Sequence, residues 1–244
     1  MISFDSEEYW TAVTWDRFCE LDRVSEAVRT EFLNQESLTV SRIARLCQGR
    51  RAPRIMDLAC GTGKIALSIL QAVQSDIHVT LVDFNSDSIA LAKKNLVSYG
   101  NVDFHTLNAY EISTVFHHQF DAVVALDFVH HISRLDLLFL EIQKVLKPGG
   151  FLIGNTFAES SYGEWERLKH GYLMALLRRI CKDFSRGVYG MSPTQIRKVI
   201  RRLGLARIDP LDRDELLLQL KQYFALEELV QSHYYWFLAK ERLL

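Results

Sequence analysis

The chain has 244 residues, 48% of them hydrophobic, and a formal net charge of −1. That size and apolar content can fill one large core, with or without a lid. The balanced charge argues against a nucleic-acid footprint, which needs a surplus of Lys and Arg. No apolar run approaches the roughly 20 residues of a membrane span, and the early acids Asp5, Glu7, Glu8, Asp16 and Glu20 do not suit a signal peptide. Cys19, Cys47, Cys60 and Cys181 lack the spacing of a zinc cage or a disulfide framework. The expectation is a cytoplasmic protein with reduced thiols, no metal, and no membrane or nucleic-acid partner.

Residues 1–50 read as helices. Tyr9, Trp10, Trp15 and Phe18 are followed by Val24, Val28 and Phe32, then by Leu38, Ile43, Ala44 and Cys47 at helical spacing. From residue 54 strands and helices alternate, the pattern of a parallel sheet covered on both faces. Strands are expected at 54–59, 79–84, 102–107, 120–127 and 151–156. A helix carrying Leu135, Leu138, Phe139, Ile142, Val145 and Leu146 on one face precedes the fifth strand, with Pro148-Gly149-Gly150 as its stop. A further helix is expected from Ser192 to Gly204, then a sixth strand at 205–209. Residues 211–231 read as one amphipathic helix (Leu217, Leu220, Phe224), and the run His233–Lys240 as a buried strand. The long connections 158–190 and 211–231 exceed what the alternation needs, as functional lids do.

The most informative stretch is Arg54-Ile-Met-Asp-Leu-Ala-Cys-Gly-Thr-Gly63. An apolar strand ends on Asp57, turns through Gly61 and Gly63, and enters a helix. Glycines there let the backbone pass close to a ligand, and the helix start offers free N–H groups. A second strand, Val79–Asp83, ends on another acid. Together these form an adenosine site. A pyrophosphate would be repelled by Asp57, whereas an ammonium group would be attracted.

Asp57-Leu-Ala-Cys-Gly-Thr-Gly63 resembles the first motif of class I S-adenosylmethionine-dependent methyltransferases. The resemblance continues in order through Asp83, Asn108-Ala109, Phe120–His131 and Leu146-Lys-Pro-Gly-Gly150. It implies a seven-stranded, mostly parallel, doubly wound α/β sheet, with an N-terminal helical cap (1–50) and a cofactor domain (51–244) bearing helical lid insertions. It also implies S-adenosylmethionine as cofactor. Asp57, Ala59 and the Gly61–Gly63 backbone would hold its methionine part. Asp83 would accept both ribose hydroxyls and Phe84 would lie against the adenine. Asn108, where the family usually has Asp, would accept from the adenine amine beside Ala109. Leu126 and Asp127 would face the cofactor after the fourth strand.

The acceptor side is less legible. His130, His131 and Asp127 are the residues placed for catalysis, and a histidine there could take a proton from an acceptor. Methyl transfer from a sulfonium can equally run on alignment in a dry pocket. Tyr9, Trp10, Trp15, Tyr162, Trp165 and Tyr172 are the expected pocket walls. The basic residues between Arg178 and Arg202 read as a solvated face, or as a contact for an anionic substrate or a carrier protein. Three functions stay open at this point. They are methyl transfer to oxygen, nitrogen or carbon of a small molecule, a lyase or cyclase that consumes the cofactor, and a non-catalytic binding protein.

Overall fold

A computed structural model describes residues 26–73, 76–157, 213–232 and 234–242. Its elements run α1 (Glu26–Cys47), β1 (Arg54–Leu58), α2 (Lys64–Ala72), β2 (His78–Asp83), α3 (Ser86–Asn95) and β3 (Val102–Thr106). There follow a 3₁₀ turn (Ala109–Thr114), β4 (Phe120–Ala125), a second 3₁₀ turn (Val129–His131), α4 (Leu135–Val145), β5 (Leu146–Phe157), α5 (Arg213–Tyr223), β6 (Phe224–Gln231) and β7 (Tyr234–Glu241).

Seven strands form one sheet in the order β3-β2-β1-β4-β5-β7-β6. The first five are parallel, and β7 runs antiparallel to both β5 and β6. This is the doubly wound α/β architecture expected. Successive strand residues face opposite layers. Ala122 and Val124 of β4 join the core under α1, α2 and α3, whereas Val123 and Ala125 join the core under α4 and α5. Trp236 and Phe237 of β7 divide in the same way.

Two expectations are corrected. The stretch 211–231 is not one helix: α5 stops at Tyr223, and Phe224–Gln231 pairs with β7 as the edge strand. The α4 helix also ends before the Pro-Gly-Gly run. Leu146 already pairs with Phe120, so β5 begins there and carries Pro148–Gly150 within it. The expected strand at 205–209, the Ser192 helix and the connection 158–190 lie outside the described residues, as do the first 25 residues.

Helix α1 is fastened by side chains to four other elements. Trp236 Nε1 of β7 donates to Thr39 Oγ1 at 2.9 Å, and both residues are buried. Arg42 forms a two-pronged pair with Glu228 of β6, at 2.7 and 2.6 Å. Glu36 holds Lys64 of α2 at 3.0 Å, and Gln35 accepts from Asn155 of β5. Among the described residues no helix is long and apolar enough to cross a membrane.

Candidate functional site

Crossovers leave β1 and β4 on opposite sides of the sheet, and the strand ends part there into a crevice, the usual ligand position in such sheets. The cleft encloses about 830 Å³, part of it open to solvent. Its walls come from the ends of β1 (Leu58), β2 (Val82, Asp83) and the segments that follow β3 and β4 (Leu107, Phe128).

The turn after β1 is built from several constraints. Gly63 N–H closes on Cys60 O at 2.9 Å, and Cys60 N–H donates to Val82 O at 3.1 Å, tying the turn to β2. The two glycines serve different ends. Gly61, at φ +52°, has open space where a Cβ would stand and lines the cleft. Gly63, at φ +80°, caps α2. A Cβ there would meet Leu81 Cδ2 and Leu96 Cδ1 at 3.0 Å and Ala92 Cβ at 3.3 Å. Its requirement is close helix–sheet packing, while Gly61 faces the ligand space.

The acids divide likewise. Asp83 is 8% exposed and lines the cleft. Its Oδ2 accepts the Gly61 N–H and its Oδ1 the Asn85 N–H, each at 2.9 Å. Burial raises its pKa, against the opposing pull of these N–H bonds. Asp57 is 3% exposed and stands behind the turn. It accepts the backbone N–H of Ala66, in the first turn of α2, where Gly63 offers no side-chain cap. Its Oδ2 has no hydrogen-bond partner among the described residues. Burial pushes this carboxyl up to about 7, the Ala66 N–H opposing and nearby Asp83 adding to the rise.

Beside β3, Asn108 and Ala109 line the cleft together with half-buried Phe84. Asn108 Oδ1 accepts the Tyr110 N–H at 3.0 Å, capping the 3₁₀ turn, which leaves its amide N–H groups as donors. Asn85 caps α3 through Asp87 N at 2.8 Å.

After β4 the backbone leaves the strand sharply. Asp127 sits at φ +53°, a conformation that costs a non-glycine residue about 1 kcal/mol or more. Asp127 lines the cleft, and burial pushes its carboxyl up to about 6, with Asn155 and Lys64 opposing. Leu126 packs into the core under α1–α3 instead of lining the cleft. The two histidines part: His131 lines the cleft, whereas His130 is 3% exposed. Their rings lie 4.1 Å apart between centroids. Burial holds His130 well below the usual imidazole range, and neighbouring His131 adds to that.

Of the twelve residues placed here from sequence within the described chain, Ala59, Gly61, Asp83, Phe84, Asn108, Ala109, Asp127 and His131 line one cleft. Asp57, Gly63, Leu126 and His130 support it from behind. Tyr9, Trp10, Trp15, Tyr162, Trp165 and Tyr172 lie outside the described residues. Asn155, which is bonded to Asp127, and Gln35, which is bonded to Asn155, escaped the sequence reading. The signal for Asn155 is one amide inside the apolar run Phe151–Phe157. For Gln35 it is a polar residue one turn before buried Thr39 on the face that continues to Ile43. Among the described residues no group of three or more His, Cys, Asp or Glu side chains is placed to hold a metal ion.

A methyltransferase-domain family model matches residues 50–219. The chain is 30% identical over 120 residues to the ubiquinone/menaquinone biosynthesis C-methyltransferase UbiE of Brucella abortus, a match covering 45% of this chain and 44% of that protein. The chain thus aligns with less than half the length of this curated relative. Among solved structures it resembles the N-methyltransferase NodS of Bradyrhizobium japonicum, crystallised with S-adenosylhomocysteine, at TM-score 0.55 and 13% identity over 86% of this chain and 88% of that one. It also resembles the [4+2]-cyclase SpnF, at TM-score 0.59 and 18% identity over 86% of this chain and 81% of that one. At such identities these likenesses establish the fold. The family match over most of the chain, joined to the sheet order and the Asp57–Gly63 turn, places it: the chain belongs to the methyltransferase-domain family of class I S-adenosylmethionine-dependent enzymes.

Proposed function

We propose that the protein binds S-adenosylmethionine in this cleft and transfers its methyl group to a small organic acceptor in a biosynthetic pathway. Asp83 carries the reading. Its Oδ2 accepts the Gly61 N–H and its Oδ1 the Asn85 N–H, the Phe84 N–H adds a third backbone bond, and the carboxylate keeps lone pairs for two adjacent ribose hydroxyls. The apolar surfaces of Phe84, Leu107 and Ala109 suit a purine ring. Asn108 presents its amide donors at that end. Asp127 offers a carboxylate for the ammonium of the amino-acid tail, and Asp57 adds negative potential from behind the turn through an oxygen with no partner among the described residues.

When bound, the cofactor supplies a methyl carbon on a positively charged sulfur. The cleft's part is to align the acceptor with that carbon and keep water away. His131 is the base at the cleft wall, taking the proton released by an acceptor O–H, N–H or activated C–H. His130, held neutral, packs against it. The name of the Brucella relative assigns it C-methylation in quinone biosynthesis. That supports a small-molecule acceptor and puts carbon among the nucleophiles. A carrier protein that presents the acceptor fits the same chemistry.

Product analysis tests the reaction. Incubation with S-adenosylmethionine alone should leave it intact, and S-adenosylhomocysteine should form only on addition of an acceptor. Rapid methylthioadenosine formation without acceptor would replace methyl transfer by a cofactor-consuming lyase or cyclase reaction.

A further inference from the structure

Asp127 occupies the cleft in a strained backbone conformation, and something outside the cleft must hold it there. The holder is the side-chain amide of Asn155 on β5, 1% exposed. Asn155 Oδ1 accepts the Asp127 backbone N–H at 2.5 Å, and its Nδ2 donates to Asp127 Oδ1 at 3.0 Å. One amide thus clamps both the backbone and the carboxylate of the same residue.

A primary amide can be turned over, which would put its NH₂ against the Asp127 N–H and its oxygen against the carboxylate. The second N–H of Asn155 prevents this by donating to Gln35 Oε1 on α1. Gln35 is itself an amide, 5% exposed, and faces the same ambiguity. It is settled one helical turn earlier, where Gln35 Nε2 donates to Glu31 Oε1 at 3.1 Å. An ionised carboxylate only accepts, so it fixes the sense of every bond that follows: Glu31 orients Gln35, Gln35 orients Asn155, and Asn155 orients Asp127. The adjacent residue of α1 reaches Asp127 by a second route. Glu36 holds Lys64, and Lys64 is the cation whose field favours the ionised form of Asp127.

We propose that Gln35 and Asn155 are positioning residues that aim the Asp127 carboxylate into the cleft, with Glu31 setting the direction of the chain, so that helix α1 is part of the cofactor site. The proposal rests on the cofactor reading above and adds to it three residues that do not line the cleft.

Calorimetric titration of the full chain with S-adenosylhomocysteine, which carries the same ammonium group, tests it. Gln35→Met keeps the length and removes both hydrogen bonds. It should weaken binding about tenfold, the effect of leaving one buried donor unpaired. The double exchange Glu31→Gln with Gln35→Glu restores an acceptor for Asn155 and reverses the first bond, and it should recover most of the affinity. A melting curve for each variant establishes that it is folded. Wild-type affinity in Gln35→Met overturns the proposal, as does a loss that the double exchange fails to recover, since that would mark a packing role alone. Failure of the wild type to bind would instead overturn the cofactor reading.

Discussion

Asp83 and Gly61 are joined by a 2.9 Å hydrogen bond from the Gly61 N–H to the Asp83 carboxylate, so the acid that ends β2 is fastened to the glycine turn after β1. Two sequence motifs twenty-two residues apart thereby become one wall of the cleft. The bond also helps explain how an acid at this position stays buried: both of its oxygens accept backbone N–H groups, and lone pairs remain for a ligand.

The buried acids predict how cofactor binding responds to pH. Burial pushes Asp57 to about 7 and Asp127 to about 6. A ligand ammonium favours the ionised forms, so S-adenosylmethionine affinity should rise from pH 5.5 to pH 7.5, with protons released on binding. Calorimetry in buffers of different ionisation enthalpy measures that release. For the ligand-free fold the sign reverses. Folded pKa values above the usual 3.8 mean that these two groups contribute stability at low pH, which is lost as pH rises through 6 and 7. An affinity independent of pH across this range would contradict the assignment.

Gly63→Ala should destabilise the fold by about 2 kcal/mol or more, because it combines a positive φ with contacts at 3.0 Å to Leu81 and Leu96. Gly61→Ala meets no protein atom within 4 Å. It should cost about 1 kcal/mol of backbone strain and act mainly on cofactor affinity. Urea unfolding and calorimetry on the two variants would separate packing from ligand approach.

Much of this was legible in the chain, and what was not has physical causes. Strands β1, β2 and β4 announce themselves because nearly every residue in them is buried and an acid (Asp57, Asp83, Asp127) stands at or just past the end of each. The edge strand β6 was hidden. Leu220 and Phe224 continue a helical spacing, and a register shift between Leu226 and Glu228 breaks the alternation that would have marked a strand. In the site, Asp83 and the glycine turn could be read because their chemistry is local. Asn155 and Gln35 could not, because their role exists only where β5 and α1 meet, 120 residues apart in sequence. The division between His130 and His131 was equally out of reach, since it depends on which ring the second 3₁₀ turn directs into the cleft.

Thr39→Val should cost about 1–3 kcal/mol, since it removes the acceptor of the buried Trp236 indole N–H while keeping the side-chain volume. Thermal melting of the ligand-free protein measures this. A neutral effect would mean that the Thr39–Trp236 bond adds nothing to the seating of α1 on the sheet.

His131→Gln should lower methyl-transfer turnover about 10²-fold for an acceptor that must lose a proton, while S-adenosylhomocysteine affinity stays near that of the wild type. Turnover and binding should therefore separate. Equal losses in both would reassign His131 to the cofactor wall.

The most direct test of the central claim is a calorimetric titration of the full chain with S-adenosylhomocysteine, alongside the Asp83→Ala variant. The wild type should bind, and the variant should lose at least about tenfold in affinity, the scale of removing hydrogen bonds to a charged acceptor. No binding by the wild type would leave only a non-catalytic role for the fold. Unchanged affinity in Asp83→Ala would contradict the ribose contact on which the reading of the cleft depends.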